Sequence, residues 1–202
     1  MLLDCAAVRC EQIPLHLDGY SIVIGNTRKK RGLADSKYNE RRAECEAGLA
    51  ALRTKRKELR NLCDLTEEEL EDLAPLIRDE TVYRRVLHAV SENNRVVESV
   101  LLLKKGDIEG FGKLLNASHL SLRDLYEVTG PELDAMTESA RAYPGCAGSR
   151  MTGAGFGGCT VSLVKNEAVE GFIETVSAQY EAAVGLHGEF YPTSAAAGPR
   201  EL

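Results

Sequence analysis

The chain has 202 residues, 44% hydrophobic and 28% charged, which is enough for one packed domain or one and a half. A formal net charge of −6 argues against general binding to nucleic acid or to a membrane surface. No apolar run is long enough to cross a bilayer, and Met1-Leu2-Leu3 leads straight into Asp4-Cys5 without the form of a signal peptide, so a cytoplasmic protein is expected. Cys5, Cys10, Cys45, Cys63, Cys146 and Cys159 show no CxxC spacing and no His/Cys cluster; reduced thiols are expected, and a metal site is not.

Met1–Cys5 reads as a short apolar strand. Domains seldom open on a buried strand at residue 2, which suggests further chain upstream. Tyr20–Asn26 is β-branched and apolar after Asp18-Gly19, a clear strand. Arg28-Lys29-Lys30-Arg31 reads as a solvated loop, with an anion-contacting loop or a nuclear signal as alternatives. Ser36 is placed to cap a helix running to about Arg60, with Tyr38, Cys45, Leu49 and Leu52 on one face. Thr66-Glu67-Glu68-Glu69 is a capping-box signature for a short helix ending near Pro75.

A third helix is predicted from about Asp79 to Lys105, with Val82, Val86, Val90, Val97 and Leu101 as its buried stripe. Gly106 stops it. Asp107 starts the next, with Ile108, Phe111 and Leu115 facing inward. Thr129-Gly130-Pro131-Glu132 opens another helix with a capping-box pattern, and Pro144-Gly145 breaks it. Ala168–Ala183 is amphipathic through Val169, Phe172, Ile173, Val176 and Tyr180. Glu189–Thr193 is a last short strand whose proline implies an edge, and the tail from Ala195 reads as frayed.

Between these elements lies Gly153-Ala154-Gly155-Phe156-Gly157-Gly158, followed by the strand-like run Cys159–Val164. Glycine tolerates φ > 0 and lets bare backbone N–H groups approach a phosphate. The spacing Gly153-x-Gly155-x-x-Gly158 matches a dinucleotide fingerprint, but that fingerprint needs a helix after the last glycine. A protein-kinase glycine loop needs long downstream segments, and only 44 residues follow Gly158. Two readings survive: a tight hairpin turn, or a phosphate-facing loop of another kinase family.

With strands near 20–26, 149–153, 159–164 and 188–193, the order is β-α-β-β-α-β. The expected fold is α+β, a ferredoxin-like split arrangement. It has a four-stranded antiparallel sheet with helices on one face, and its first crossover is enlarged by a helical insertion.

The side chains offer few catalysts. His88 reads as a helix-packing histidine, and His119 as one bonded to the hydroxyls beside it. Glu40, Glu44 and Glu46 look like a solvated helix face. Tyr38 is either a staple at a helix entry or a phenol presenting ring and hydroxyl to a polar ligand.

Three segments carry a family resemblance: Ser36-Lys37-Tyr38-Asn39-Glu40-Arg41-Arg42-Ala43-Glu44-Cys45, then Ser118–Val128 with Pro131-Glu132-Leu133-Asp134, then Gly148–Cys159. In this order they resemble the galactokinases of the GHMP kinase superfamily, over nearly the whole chain. The resemblance implies ATP- and Mg²⁺-dependent phosphorylation of α-D-galactose at the anomeric hydroxyl, and a ferredoxin-like C-terminal domain over residues 18–202 after a remnant of the N-terminal domain at residues 1–17. It implies that Tyr38 contacts the sugar, that Lys30 lies near it, and that Gly153, Gly155, Gly157 and Gly158 support the phosphate region. The family's sugar-recognition motif, its Ser/Gly phosphate loop and its Gly-x-x-Asp-Gln aspartate have no counterpart here, so no catalytic residue is expected in this chain. A partner, the missing N-terminal kinase half, is implied, and the chain alone is expected to be inactive or nearly so. Leu125 departs from the family's aspartate before the tyrosine. A non-catalytic sugar-sensing protein on the same scaffold, or an N-acetylgalactosamine kinase, is the alternative.

Overall fold

The structure, a computed structural model, describes residues 1–29 and 34–194, with the side chains of residues 34–36 left aside. Two short strands come first, Leu2–Asp4 (β1) and Arg9–Glu11 (β2), paired antiparallel with Leu2 opposite Glu11. Arg9-Cys10-Glu11 carries no strand signature of its own; the pairing creates the strand.

Tyr20–Asn26 (β3) follows, with the predicted bounds. The next helix is Ala34–Arg53 (α1). It begins two residues before Ser36, which therefore is not its cap, and it ends well short of Arg60. The physical cause of the early end is Arg53, whose guanidinium folds back to donate to the Leu59 and Arg60 carbonyls and so holds the chain in a turn. Glu67–Leu73 (α2) starts on the expected box: Thr66 Oγ1 accepts from the Glu69 N–H and the Glu69 carboxylate accepts from the Thr66 N–H.

Glu80–Lys105 (α3) has Asp79 as N-cap and a left-handed Gly106 at its end. Its buried stripe differs from the expected one. Val86 and Val90 are fully buried among Leu52, Leu59, Leu62 and Leu70, but Val97 and Leu101 are more than half exposed. Beyond Val90 the cover of α1 and α2 gives way to the next helix, on which Leu103 packs beside Ile108 and Leu115. The inward face rotates to Val100 and Leu103, which meet Met1, Leu2, Ile13 and Leu15 across a cavity of about 290 Å³.

Ile108–Ser121 (α4) starts on Asp107, as the sequence predicts, and Ile108 and Leu115 are buried. A π-helical turn, Leu122–Tyr126, extends it to a left-handed Glu127. Pro131–Ala142 (α5) starts on Gly130, not on Thr129: no side chain caps it, and Pro131 presets the first turn. Cys146–Thr152 (β4) begins earlier than expected, Cys159–Lys165 (β5) pairs with it, and Val169–Val184 (α6) and Glu189–Thr193 (β6) complete the chain. The tail from Ala195 lies outside the described residues.

The four main strands form an antiparallel sheet in the order β4-β5-β3-β6, with Pro192 on the edge strand as expected. This is the split β-α-β-β-α-β topology, and the helical insertion fills its first crossover between β3 and α5.

Helices cover both faces of the sheet, where one face was expected. Val23 and Val164 face α5 and α6, against Met136, Phe172, Val176 and Tyr180. Their neighbours Ile22 and Leu163 point the other way, onto Ile108, Leu115 and Phe111 of α4. Successive strand residues alternate faces, so a continuous run such as Ile22-Val23-Ile24 needs cover on both sides. Gly112 and Gly148 let α4 lie directly on β4: a β-carbon on either would strike the backbone of the other segment.

Candidate functional site around the glycine loop

Residues 153–158 join β4 to β5, which lie side by side in the sheet. The loop is therefore the connection of a hairpin, as the first of the two sequence readings had it, but it is no tight two-residue turn. Gly153 (φ 83°), Gly155 (83°), Phe156 (57°), Gly157 (118°) and Gly158 (92°) all lie in the left-handed half of backbone space. Phe156 alone among them carries a side chain there, a strain of about 1–3 kcal/mol that its surroundings must offset.

Three anchors do so. The Phe156 N–H donates to the Val128 carbonyl at 2.8 Å, and the ring packs with Leu122, Val128, Leu133 and Met151. Gly155 lies so tightly on that carbonyl that a β-carbon would overlap it. At the exit, the Thr27 N–H and hydroxyl both donate to the Gly158 carbonyl, at 2.9 and 2.7 Å.

The basic loop after β3 leans on the same region. Lys29 packs over Gly157 and binds Glu132 at 2.5 Å, and Arg28 pairs with Glu189 at 3.2 Å. Both cations are ion-paired and exposed, which agrees with the expected solvated loop as far as Arg28 and Lys29 are concerned. Lys30 lies outside the described residues.

Tyr38, in the first turns of α1, is 61% exposed. That excludes a staple, which would be packed, and leaves ring and hydroxyl at the surface. Tyr38 lies close enough to Tyr126 to contribute to the raised pKa of that phenol, whose main cause is burial. Tyr126 and Val128 belong to one short segment, so the helix start and the glycine loop flank it from two sides.

That segment is pinned by a charge network the sequence does not announce. Arg85 is 1% exposed. Its guanidinium donates to Glu44 at 2.9 Å, to the Leu125 carbonyl at 2.5 Å and to Glu127 at 2.6 Å. Glu44 also binds Arg41, so it is a half-buried bridge between α1 and α3, not part of a solvated face. The Glu127 carboxyl is held below the usual carboxylate range by its hydrogen bond from Arg85. Leu125 contributes its carbonyl here, a role that needs no aspartate side chain.

A second polar cluster lies under β4. Arg150 reaches Glu92 of α3 at 3.2 Å, and Glu92 also accepts from Ser118 and Arg95. His88 bonds Ser121 at 2.8 Å and stacks on Tyr126 with ring centroids 4.4 Å apart, the packing role expected of it. Burial pushes its pKa down to about 4. His119 differs from expectation: its partners are Asp134, Thr137 and the Met151 N–H, from other elements, rather than the hydroxyls beside it. Only its place in an apolar-and-hydroxyl helix hinted at burial. Among the described residues no group of three or more His, Cys, Asp or Glu is arranged to hold a metal ion. No helix among them is long and apolar enough to cross a membrane.

Residues 99–182, which contain α4, α5, the loop and most of α6, match the family described as GHMP kinases C terminal. The whole chain is 50% identical over 201 residues to a galactokinase of Halalkalibacterium halodurans, and 51% identical over 202 residues to one of Clostridium acetobutylicum. Over its whole length the chain is thus similar to galactokinases, and residues 99–182 carry the match to the C-terminal part of the GHMP kinases. It spans about half the length of the relatives it matches, 51% and 52% respectively.

Among solved structures, Lactococcus lactis galactokinase complexed with galactose superposes with a TM-score of 0.91 at 46% identity, over 94% of this chain and 49% of that protein. Leishmania major mevalonate kinase in complex with R-mevalonate shares the fold, with a TM-score of 0.55 at 18% identity over 92% of this chain and 46% of that one.

Proposed function

We propose that this chain supplies the sugar- and phosphate-facing part of a galactokinase that, with its other half, phosphorylates galactose at the anomeric hydroxyl using ATP. The observation that carries this reading is the glycine loop: backbone with positive φ, bare of side chains at four of its six positions and anchored at its middle and its exit, in a chain half identical to galactokinases throughout. Gly153, Gly155, Gly157 and Gly158 leave N–H groups free of β-carbons on a fixed frame, as a phosphate-facing loop requires. Tyr38 offers an exposed ring and hydroxyl, which suits the sugar. Lys30 is assigned beside the sugar site on family resemblance alone.

In the reaction the C1 hydroxyl oxygen forms a bond to the γ-phosphorus, the bond to the ADP oxygen breaks, and the hydroxyl proton leaves to a base. Phosphoryl transfer depends on positioning and charge neutralisation. This chain's share is positioning: the loop faces the phosphates and Tyr38 orients the sugar. The described residues do not fit a Mg²⁺ site by themselves, so no step is assigned to the metal here. The base and the main nucleotide contacts belong to the other half, which is the partner we assign. The division falls after residue 17. The exposed β1–β2 ribbon, a two-stranded pair that is marginal by itself, goes with the other half, and residues 18–202 form the C-terminal domain.

A coupled ADP-release assay tests this. The chain is mixed with galactose, ATP and Mg²⁺, alone and with a separately expressed N-terminal galactokinase half. Turnover only on complementation is expected. Turnover by the chain alone would overturn the assignment of the base to the other half, and silence in both, with galactose binding intact, would favour a sugar-sensing protein.

A further inference from the structure

The strand that leads into the glycine loop, β4, is an edge strand, so its outward N–H groups have no neighbouring strand. Two of them are bonded instead by side chains of one helix. The Ser149 N–H donates to Asn116 Oδ1 at 2.8 Å, and the Met151 N–H donates to His119 Nδ1 at 3.2 Å. Residues 116 and 119 stand one turn apart on α4, and residues 149 and 151 one pleat apart on β4, so the helix substitutes for a strand along this edge. The close crossing at Gly112 and Gly148 makes the match possible. The next residue in the outward row is Gly153, the first of the loop.

His119 is fully buried, and its hydrogen bonds specify one tautomer. Nδ1 accepts from Met151, so Nε2 carries the hydrogen. Nε2 faces Thr137 Oγ1 at 2.8 Å and Asp134 Oδ1 at 3.1 Å. The Thr137 hydroxyl gives its own hydrogen to the Leu133 carbonyl at 2.9 Å, which leaves a lone pair toward the ring. The imidazole thus links α5, α4 and the entry of the loop through directed bonds. An apolar residue of the same shape would leave the Met151 N–H buried and unpaired.

We propose that His119, oriented by Asp134 and Thr137, is a positioning residue for the glycine loop and acts through the Met151 N–H on phosphoryl transfer. This rests on the reading of the loop as phosphate-facing. Two substitutions divide the imidazole's functions. His119→Asn keeps an acceptor where Nδ1 stands and loses the Nε2 contacts. His119→Gln keeps a group near Nε2 and loses the acceptor.

Amide hydrogen exchange of the 202-residue chain is measured first. In His119→Gln the Phe156 amide should exchange about 10-fold faster or more, with α6 amides unchanged, while His119→Asn stays within about threefold of wild type. In the complemented enzyme, His119→Gln should lower kcat about 10- to 100-fold, with the galactose KM unchanged, and His119→Asn should lower it far less. Asp134→Ala, at a partly exposed position, serves if His119→Gln does not fold: it frees the ring and should shift the same two readouts in the same direction, by about threefold to tenfold. Equal exchange at Phe156 in all variants, or faster exchange spread over the whole chain, overturns the proposal. So does loop exchange that responds while kcat does not. A wild-type complement without turnover refutes the kinase reading alone, and the exchange comparison still decides whether His119 positions the loop.

Discussion

Two left-handed corners meet at Val128, and they are held in opposite ways. Glu127 (φ 55°) is held by side-chain charge: Arg85 and Arg84 both bind its carboxylate. Phe156 (φ 57°) is held by backbone: its N–H is bonded to Val128 and its neighbours are glycines. A non-glycine residue at positive φ costs about 1–3 kcal/mol in either case. The difference lies in what can undo each corner. Removing a guanidinium breaks the first directly, whereas the second is broken directly by adding atoms to its glycines and only indirectly through the side chains that hold the loop's ends. The side-chain-held corner backs the segment at Val128, and the backbone-held loop, with glycines at four of its six positions, carries few side chains of its own.

The largest effect is expected from Arg85→Met. It leaves the Leu125 carbonyl without its buried donor and Glu44 with Arg41 alone, and should cost about 3–5 kcal/mol in denaturant midpoint experiments. A cost below about 1 kcal/mol would mean that the Glu127 corner stands without its charges.

Acid should loosen the same region. The folded pKa of His88, about 4, lies below its unfolded value of 6.5, so the neutral ring is the form the fold favours. The unfolded chain binds more protons between those values, and stability should therefore be full above about pH 6.5 and fall as pH drops toward 4. The groups facing His88 are Glu92, Arg95, Arg150 and Arg85, together with Ser121 and Tyr126. Burial is the first cause of the shift, so His88→Gln should flatten that slope, and an unchanged slope would assign the acid sensitivity to carboxylates such as Glu92.

Gly155→Val tests the second corner. A β-branched residue at φ 83°, against the Val128 carbonyl, should cost about 1–3 kcal/mol and displace the Phe156 bond. In the complemented enzyme it should lower kcat, and unchanged turnover would remove the loop from the mechanism. Tyr38→Ala should change stability least, by about 0.5 kcal/mol or less, because the side chain is exposed. It should raise the galactose KM more than the ATP KM, and equal effects would mean that Tyr38 does not face the sugar.

Short-range signals carried a good part of this molecule. The bounds of β3 and β6 follow from composition between breakers. The capping box at Thr66, the stop at Gly106 and the start at Asp107 depend on atoms within four residues of one another. Of the candidate site, the glycine loop and Tyr38 were legible, because glycine spacing and an amphipathic residue at a helix start are local facts. Glu44 was misread because the guanidinium that buries it comes from Arg85, 41 residues away. Val97 and Leu101 were misread because helical period states which residues share a face, not where the covering layer ends.

Local spacing by itself thus determined most of the elements, their order and the glycine-rich connection, since each is written in contacts of the chain with its near neighbours; β2 and the π-helical turn at Leu122–Tyr126 are the exceptions. Tertiary structure alone decided that both sheet faces are covered, that α4 lines the edge of β4, and that His119 turns toward Met151. Those outcomes depend on which distant backbone groups remain unpaired once the sheet has formed, and no window of sequence contains both partners.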